Sequence, residues 1–225
     1  MTLTLTKSES RWGWFFLLAQ MLVIPFAVSL VCPFLGIRSI TDINLICFFL
    51  NAALAAYLFR RLLARSFRNC VGRWGQIILT AIKGFGLYWL VNMAVVALIL
   101  NLQPDFANIN DAGVNAMIDE RPLLMTLAVI FAAPLAEECL CRGWMFTGLA
   151  RRSIPLAYAV TAIFFSAAHV SGYIGIYDPK TLGLCFLQYL GPSVVLCRTC
   201  RKADSLMAPL LLHSFINALS CIVLR

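Results

Sequence analysis

The stretch 131-FAAPLAEECLCRGWMF-146 places three ionisable residues, Glu137, Glu138 and Arg142, inside an otherwise apolar run. With its apolar neighbours, the run is long enough to cross a bilayer, which takes about 20 residues. Ionisable groups are costly in lipid, so inside a membrane they usually face the interior of a helix bundle and mark function. The stretch therefore predicts a membrane helix with a polar, functional face.

The rest of the chain repeats the apolar pattern. Of its 225 residues, 61% are hydrophobic and 12% are charged, whereas a soluble domain has about 25% charged residues. Seven apolar segments can be recognised, at roughly 13–32, 42–60, 76–100, 122–149, 154–171, 181–197 and 205–224. The sequence predicts an all-α fold: a polytopic membrane helical bundle of about seven transmembrane helices. The longest polar stretch, 101–122, is acidic and rich in turn formers, which predicts an external loop.

The net charge of +8 is distributed between the apolar segments. Basic clusters follow the second, fourth and sixth segments, and with seven spans these loops share a side with the N-terminus. Because Lys and Arg mark the cytoplasmic side, the N-terminus is predicted to be cytoplasmic. The charge is thus explained by topology, and nucleic acid is not an expected partner. We expect a multi-pass protein of the cytoplasmic membrane, and the short extramembrane parts are typical of a bacterial protein.

The two histidines of the chain, His169 and His213, also lie in apolar segments, and Asn217 follows His213 by one helical turn. Glu137 and His169 flank the turn near Arg152, and a rise of about 1.5 Å per residue puts both roughly 20 Å from it. The same rise puts His213 and Asn217 at about 12 and 18 Å from the same side. Three helices are therefore expected to bring polar side chains to overlapping depths.

This set of side chains suits hydrolysis. Glu138 and Arg142 are four residues apart and can pair on one helix face, which leaves Glu137 free to act as a general base toward water. A histidine or an asparagine amide can donate hydrogen bonds to a developing oxyanion. No cofactor is expected. Two histidines with one or two glutamates could instead hold zinc, and the spacing alone leaves that alternative open.

Three motifs resemble a known family. "EECLCR" fits EExxxR, "FSAAH" fits FxxxH and "HSFIN" fits HxxxN, and their order is similar to that of the CPBP or Abi family of CAAX proteases and bacteriocin-processing or immunity proteins. The resemblance implies a glutamate-dependent intramembrane endopeptidase in which Glu137 and His169 activate water. It assigns His213 and Asn217 to the oxyanion hole, with Glu138 and Arg142 as a supporting pair.

The resemblance also implies a division of the chain. Residues 121–225 would form the catalytic four-helix core, and residues 1–120 would supply three further helices and the acidic loop. The expected partners are the bilayer and a membrane-associated peptide or protein substrate, either prenylated or of the signal- or bacteriocin-type. Two other functions remain open: a non-proteolytic immunity or regulatory protein using the same cavity, and a proton-coupled transporter, since buried Glu and His also form proton relays.

Overall fold

A computed structural model describes residues 3–223, so the outermost residues of the predicted units 1–120 and 121–225 lie outside it. The described chain forms nine helical elements. They are α1 (Lys7–Leu35), α2 (Ile40–Leu58), α3 (Arg60–Arg68), α4 (Trp74–Leu102), α5 (Ile109–Glu120), α6 (Pro122–Ala150), α7 (Ile154–Tyr173), α8 (Pro179–Ala203) and α9 (Met207–Val223).

This architecture confirms the all-α polytopic fold. Six helices, namely α1, α2, α4, α6, α7 and α8, are long and apolar enough to cross a membrane, and α9 is a shorter apolar helix. Within residues 3–223 no β-strand is formed, and only an isolated bridge joins Ile174 to Tyr177. The cytoplasmic position of the N-terminus stays a prediction.

Local side-chain chemistry fixes where the helices begin. Thr6 and Glu9 form a capping box at the start of α1, in which the Thr6 amide donates to Glu9 Oε2 at 2.8 Å. Ser39 and Asp178 accept hydrogen bonds from backbone amides at the starts of α2 and α8. After α1 the chain turns at Gly36, whose φ of 77° is open to glycine without strain.

Two long helices contain a widened π-turn immediately before a proline. The π-turns span Ala19–Val23, before Pro25, and Ala128–Ala132, before Pro134. A proline cannot donate to the carbonyl one turn earlier and its ring clashes with that carbonyl, so one wider turn accommodates it within a continuous helix. A third π-segment, Cys139–Phe146, follows Glu138 directly.

Helix α6 lies inside the bundle and contacts α1, α2, α7 and α9. Its indole at Trp144 lies against Gly13 of α1 so closely that a Cβ atom there would overlap the ring. Trp144 Nε1 also donates to the Ser10 carbonyl at 3.1 Å. The Ala150 end of α6 and the Lys7 end of α1 therefore share one side of the bundle.

The polar stretch 101–122 contains a helix that the sequence did not predict, since Ile109–Glu120 forms α5, and the external position of the stretch stays a prediction. Asn108 caps this helix, and Ile109 and Ile118 are buried beneath it. The stretch carries a capping residue and two apolar residues that face the bundle. Because its other residues are mostly polar, the sequence did not indicate a helix there. Helix α3, which is short and rich in arginine, was also not predicted.

Candidate active site

Glu138 and Arg142 form a fully buried ion pair, as their spacing predicted. Arg142 Nη1 lies 2.8 Å from Glu138 Oε1, and Nη2 donates to the carbonyl and the hydroxyl of Ser193 at 3.2 and 3.0 Å. The guanidinium also stacks over the Phe165 ring at 4.5 Å, a favourable cation–π contact. The pair thus joins α6 to α7 and α8.

Glu137 points away from this pair and faces both histidines. Its Oε2 atom lies 4.0 Å from His169 Nε2 and 3.8 Å from His213 Nε2. These separations exceed a direct hydrogen bond, and a single bridging water spans such a gap. Glu137 Oε2 is buried and has no hydrogen-bond partner within residues 3–223.

The other ring nitrogen of each histidine is held by an acceptor. His169 Nδ1 lies 2.8 Å from the Phe165 carbonyl, and His213 Nδ1 lies 2.8 Å from Glu138 Oε1. A carbonyl and an ionised carboxylate only accept, so both Nδ1 atoms carry the proton. In the neutral rings each Nε2 is then an acceptor, and three acceptor atoms converge. Only a donor such as water, or an additional proton, satisfies that arrangement.

The predicted partnership of His213 with Asn217 is only partly seen. Asn217 lies in the same cavity as His213, but its Nδ2 donates to the Val129 carbonyl at 2.8 Å. His213 is instead tied to Glu138. Since its Nδ1 proton is committed there, Nε2 can donate to an oxyanion only when the ring is an imidazolium. Asn217 retains a second N–H on the same nitrogen.

These residues line a cavity of about 570 Å³ inside the bundle. Glu137, His169, His213 and Asn217 contribute to its wall, whereas Glu138 and Arg142 lie buried behind it. Helices α1, α2 and α4 supply further wall residues, so both predicted units of the chain border this space. The catalytic role of each of the six predicted residues stays a prediction.

Tyr189 on α8 is a site residue that the sequence did not reveal. Its ring stacks on His169 with centroids 4.3 Å apart, while Phe165 contacts the same imidazole at 4.4 Å. The Tyr189 hydroxyl donates to Asp111 Oδ1 at 2.9 Å and accepts from Asn110 Nδ2 at 3.0 Å. Helix α5 thereby fixes the tyrosine that holds His169, and no motif marks this long-range contact.

Asp111 gives a pH-dependent prediction. Burial raises the pKa of this carboxyl group, although the hydrogen bond from Tyr189 and the nearby His169 oppose the shift. An acid with a raised pKa in the folded state loses stability as the pH rises from the usual aspartate range through the folded-state pKa. Asp111→Asn keeps an acceptor for Tyr189, so we expect a flatter profile of melting temperature against pH. Identical profiles for variant and wild type would contradict this account.

The arrangement of these side chains also bears on whether the site could hold a metal ion. Across residues 3–223 no group of three or more His, Cys, Asp or Glu side chains is arranged to hold a metal ion. Cys141, one helical turn after Glu137, is buried. Metal-independent chemistry nevertheless stays a prediction until it is measured.

The fold is that of a multi-pass membrane protein, and the cavity inside it brings together one carboxylate and two imidazoles. Residues 119–219 match the family model described as type II CAAX prenyl endopeptidase Rce1-like. The matched region contains all three motifs and confirms the predicted resemblance to the CAAX-protease (CPBP) family. No curated protein and no solved structure matches the chain. The match to residues 119–219 supports a CAAX-type intramembrane protease embedded in a membrane.

Proposed function

We propose that this protease is glutamate-dependent and metal-independent and cleaves membrane-associated peptides within the cavity. The observation that carries the proposal is the convergence of Glu137 Oε2 with the Nε2 atoms of His169 and His213, at 4.0 and 3.8 Å. A water molecule between Glu137 and the neutral His169 ring donates to the carboxylate and to His169 Nε2, while His213 carries the additional proton on its Nε2 atom. That arrangement orients a lone pair of the water for attack.

In the proposed reaction Glu137 takes a proton from water as the oxygen bonds to the carbonyl carbon of the scissile peptide. The C=O double bond opens to an oxyanion, which accepts hydrogen bonds from Asn217 Nδ2 and from the His213 imidazolium. Collapse of this intermediate breaks the C–N bond, and Glu137 returns its proton to the leaving amine. His169 holds the water and keeps its orientation through Phe165 and Tyr189.

The buried ion pair orients His213. Glu138 accepts from His213 Nδ1 and from Arg142 Nη1, each at 2.8 Å. The Glu138 carboxylate lies where it stabilises the positive charge that His213 carries while it donates to the oxyanion, and Arg142 holds that carboxylate in place. In this proposal Glu138 and Arg142 are positioning residues and do not touch the substrate.

We assign the protein to the cytoplasmic membrane of a bacterium, with Lys7 at the cytoplasmic face. The arginines of α3, with Arg151 and Arg152 after α6, support this orientation, because basic residues are retained on the cytoplasmic side. The active centre then opens into a cavity at the depth of the bilayer. The substrate class is a peptide with a membrane anchor, either prenyl or polypeptide.

A chelation experiment tests the proposed chemistry. We expect the purified protein in proteoliposomes to cleave a quenched fluorogenic peptide containing an S-farnesylated cysteine at the same rate before and after dialysis against EDTA and 1,10-phenanthroline. No step of the proposed reaction passes through a metal. Loss of activity on chelation, restored by zinc and by no other change, would contradict the metal-independent mechanism.

A further inference from the structure

The cavity walls that come from α1, α2 and α4 carry side-chain carboxamides. They are Gln20, Asn44, Asn51 and Asn92. The charged residues that line the cavity are Asp111 and Glu137, and its described lining includes no lysine or arginine. This wall therefore offers hydrogen bonds without positive charge, which suits an uncharged polar ligand.

Two of these carboxamides have buried oxygen atoms without a partner. Gln20 Oε1 and Asn51 Oδ1 make no hydrogen bond within residues 3–223, and Asn51 is only 9% exposed. Other amides around the centre are paired: Asn108 with Gln188, Asn110 with Tyr189 and Asn217 with Val129. An unpaired buried acceptor destabilises a membrane bundle, so two of them in one cavity point to a ligand that supplies N–H donors.

The packing of the helices indicates how such a ligand lies. Gln20 follows Gly13 by seven residues and Glu137 precedes Trp144 by seven, and since Gly13 touches Trp144, Gln20 and Glu137 lie at one level. Asn51 adjoins Ala52, which packs in one cluster with Ala128 and Ala132. Ala132 is five residues from Glu137 on the side away from Ala150, so at about 1.5 Å per residue Asn51 lies about 7 Å farther than Glu137 from the side where α1 begins. That separation corresponds to roughly two residues of extended chain.

We infer that Gln20 and Asn51 form a subsite that binds the main chain of an extended peptide substrate next to the scissile bond. The inference rests on the proposed function and names the conformation and the recognised groups of its substrate. Main-chain N–H groups donate to Gln20 Oε1 and Asn51 Oδ1, so recognition depends on extended backbone rather than on particular side chains. A helical segment, whose N–H groups are already bonded, must unwind to occupy the subsite.

The direction of the peptide follows from the same packing. Gln20 lies at the level of Glu137, and Asn51 lies farther from the side where α1 begins. The substrate therefore extends from the active centre away from that side, which is the predicted cytoplasmic face. The two carboxylates of the cavity repel an anionic terminus, so an internal, uncharged stretch of chain fits this wall best.

Binding to an inactive background tests the subsite. The probe is a fluorescein-labelled peptide with an S-farnesylated cysteine, three apolar residues and a C-terminal amide, and the protein carries Glu137→Gln so that no cleavage intervenes. We expect Asn51→Leu to raise Kd about 5- to 10-fold, the effect of losing one hydrogen bond. Because a buried unpaired oxygen is removed, the melting temperature should rise or stay unchanged. The matched control is Asn101→Leu, at the exposed end of α4, which should alter neither quantity.

Ester analogues of the probe locate the contact. Each main-chain N–H near the scissile bond is replaced in turn by an ester oxygen. One such replacement should raise Kd for the Glu137→Gln protein. The same replacement should leave Kd unchanged for the protein that carries both Glu137→Gln and Asn51→Leu. If Asn51→Leu lowers the melting temperature and leaves Kd unchanged, or if neither protein binds the probe, the subsite proposal is wrong.

The outcomes separate this inference from the proposed function. If wild type cleaves the peptide and Asn51→Leu leaves Kd unchanged, the protease proposal is supported and the subsite is rejected. Absence of cleavage, with the expected dependence of Kd on Asn51 and on one N–H group, would support the subsite and reject the catalytic proposal.

Discussion

Glu137→Gln is expected to reduce peptide hydrolysis by at least about 10²- to 10⁴-fold, the range attributed to a positioned general base. Glu137 Oε2 faces the Nε2 atoms of both His169 and His213. Glutamine keeps the size of the side chain but cannot take a proton from water. Because Glu137 Oε2 makes no hydrogen bond within the described chain, the fold should be unaffected.

The measurement is the initial rate of cleavage of the fluorogenic peptide by purified protein, with the melting temperature recorded on the same sample. Asp119→Asn is the control, because it likewise changes a carboxylate to a carboxamide, in an exposed residue near the end of α5. Its rate should equal that of wild type. A Glu137→Gln protein that retained a tenth or more of the wild-type rate would exclude Glu137 as the base.

Arg142→Met is expected to destabilise the protein by about 3–5 kcal/mol, the usual cost of removing one partner from a buried ion pair. The substitution leaves Glu138 buried with only His213 beside it and removes both contacts to Ser193. Met is close to Arg in length, so lost packing is a small part of the effect. Arg61→Met, which changes an exposed arginine of α3, serves as the control.

The double variant Glu138→Gln with Arg142→Met separates stability from catalysis. Removing both charges relieves the unpaired carboxylate, so we expect more than half of the lost stability to return. Activity should stay low, because the neutral amide that replaces the Glu138 carboxylate no longer favours the His213 imidazolium. Unfolding in detergent and peptide cleavage are measured together. Recovery of both would show that the pair has only a structural role.

The membrane helices could be predicted because their signal is local. Apolar composition and flanking turn residues placed the fifth segment at roughly 154–171, and the helix runs Ile154–Tyr173. Helix α5 was missed because its burial depends on two isoleucines in a polar stretch. The π-turns before Pro25 and Pro134 were missed because they depend on how the backbone hydrogen bonds rearrange around each proline. Composition alone does not show that rearrangement.

Within the site, spacing along one helix predicted well and contacts between helices did not. The Glu138–Arg142 pair follows from four-residue spacing, and Phe165 packs on His169 for the same reason. The hydrogen bond from His213 to Glu138 joins residues 75 positions apart, so it depends on how α9 packs against α6. Gln20 and Asn51 lie in helices without a recognisable motif, and only the cavity relates them to Glu137.

The central claim is that Glu137 acts as the base of a proteolytic reaction, and the most direct test is a comparison of new peptide termini. Membrane and secreted fractions of cells carrying wild type or Glu137→Gln, at equal protein level, are analysed by mass spectrometry. The account predicts termini that occur only with wild type, which would also identify the substrate. Identical termini in both, with the wild-type phenotype retained by the variant, would contradict it.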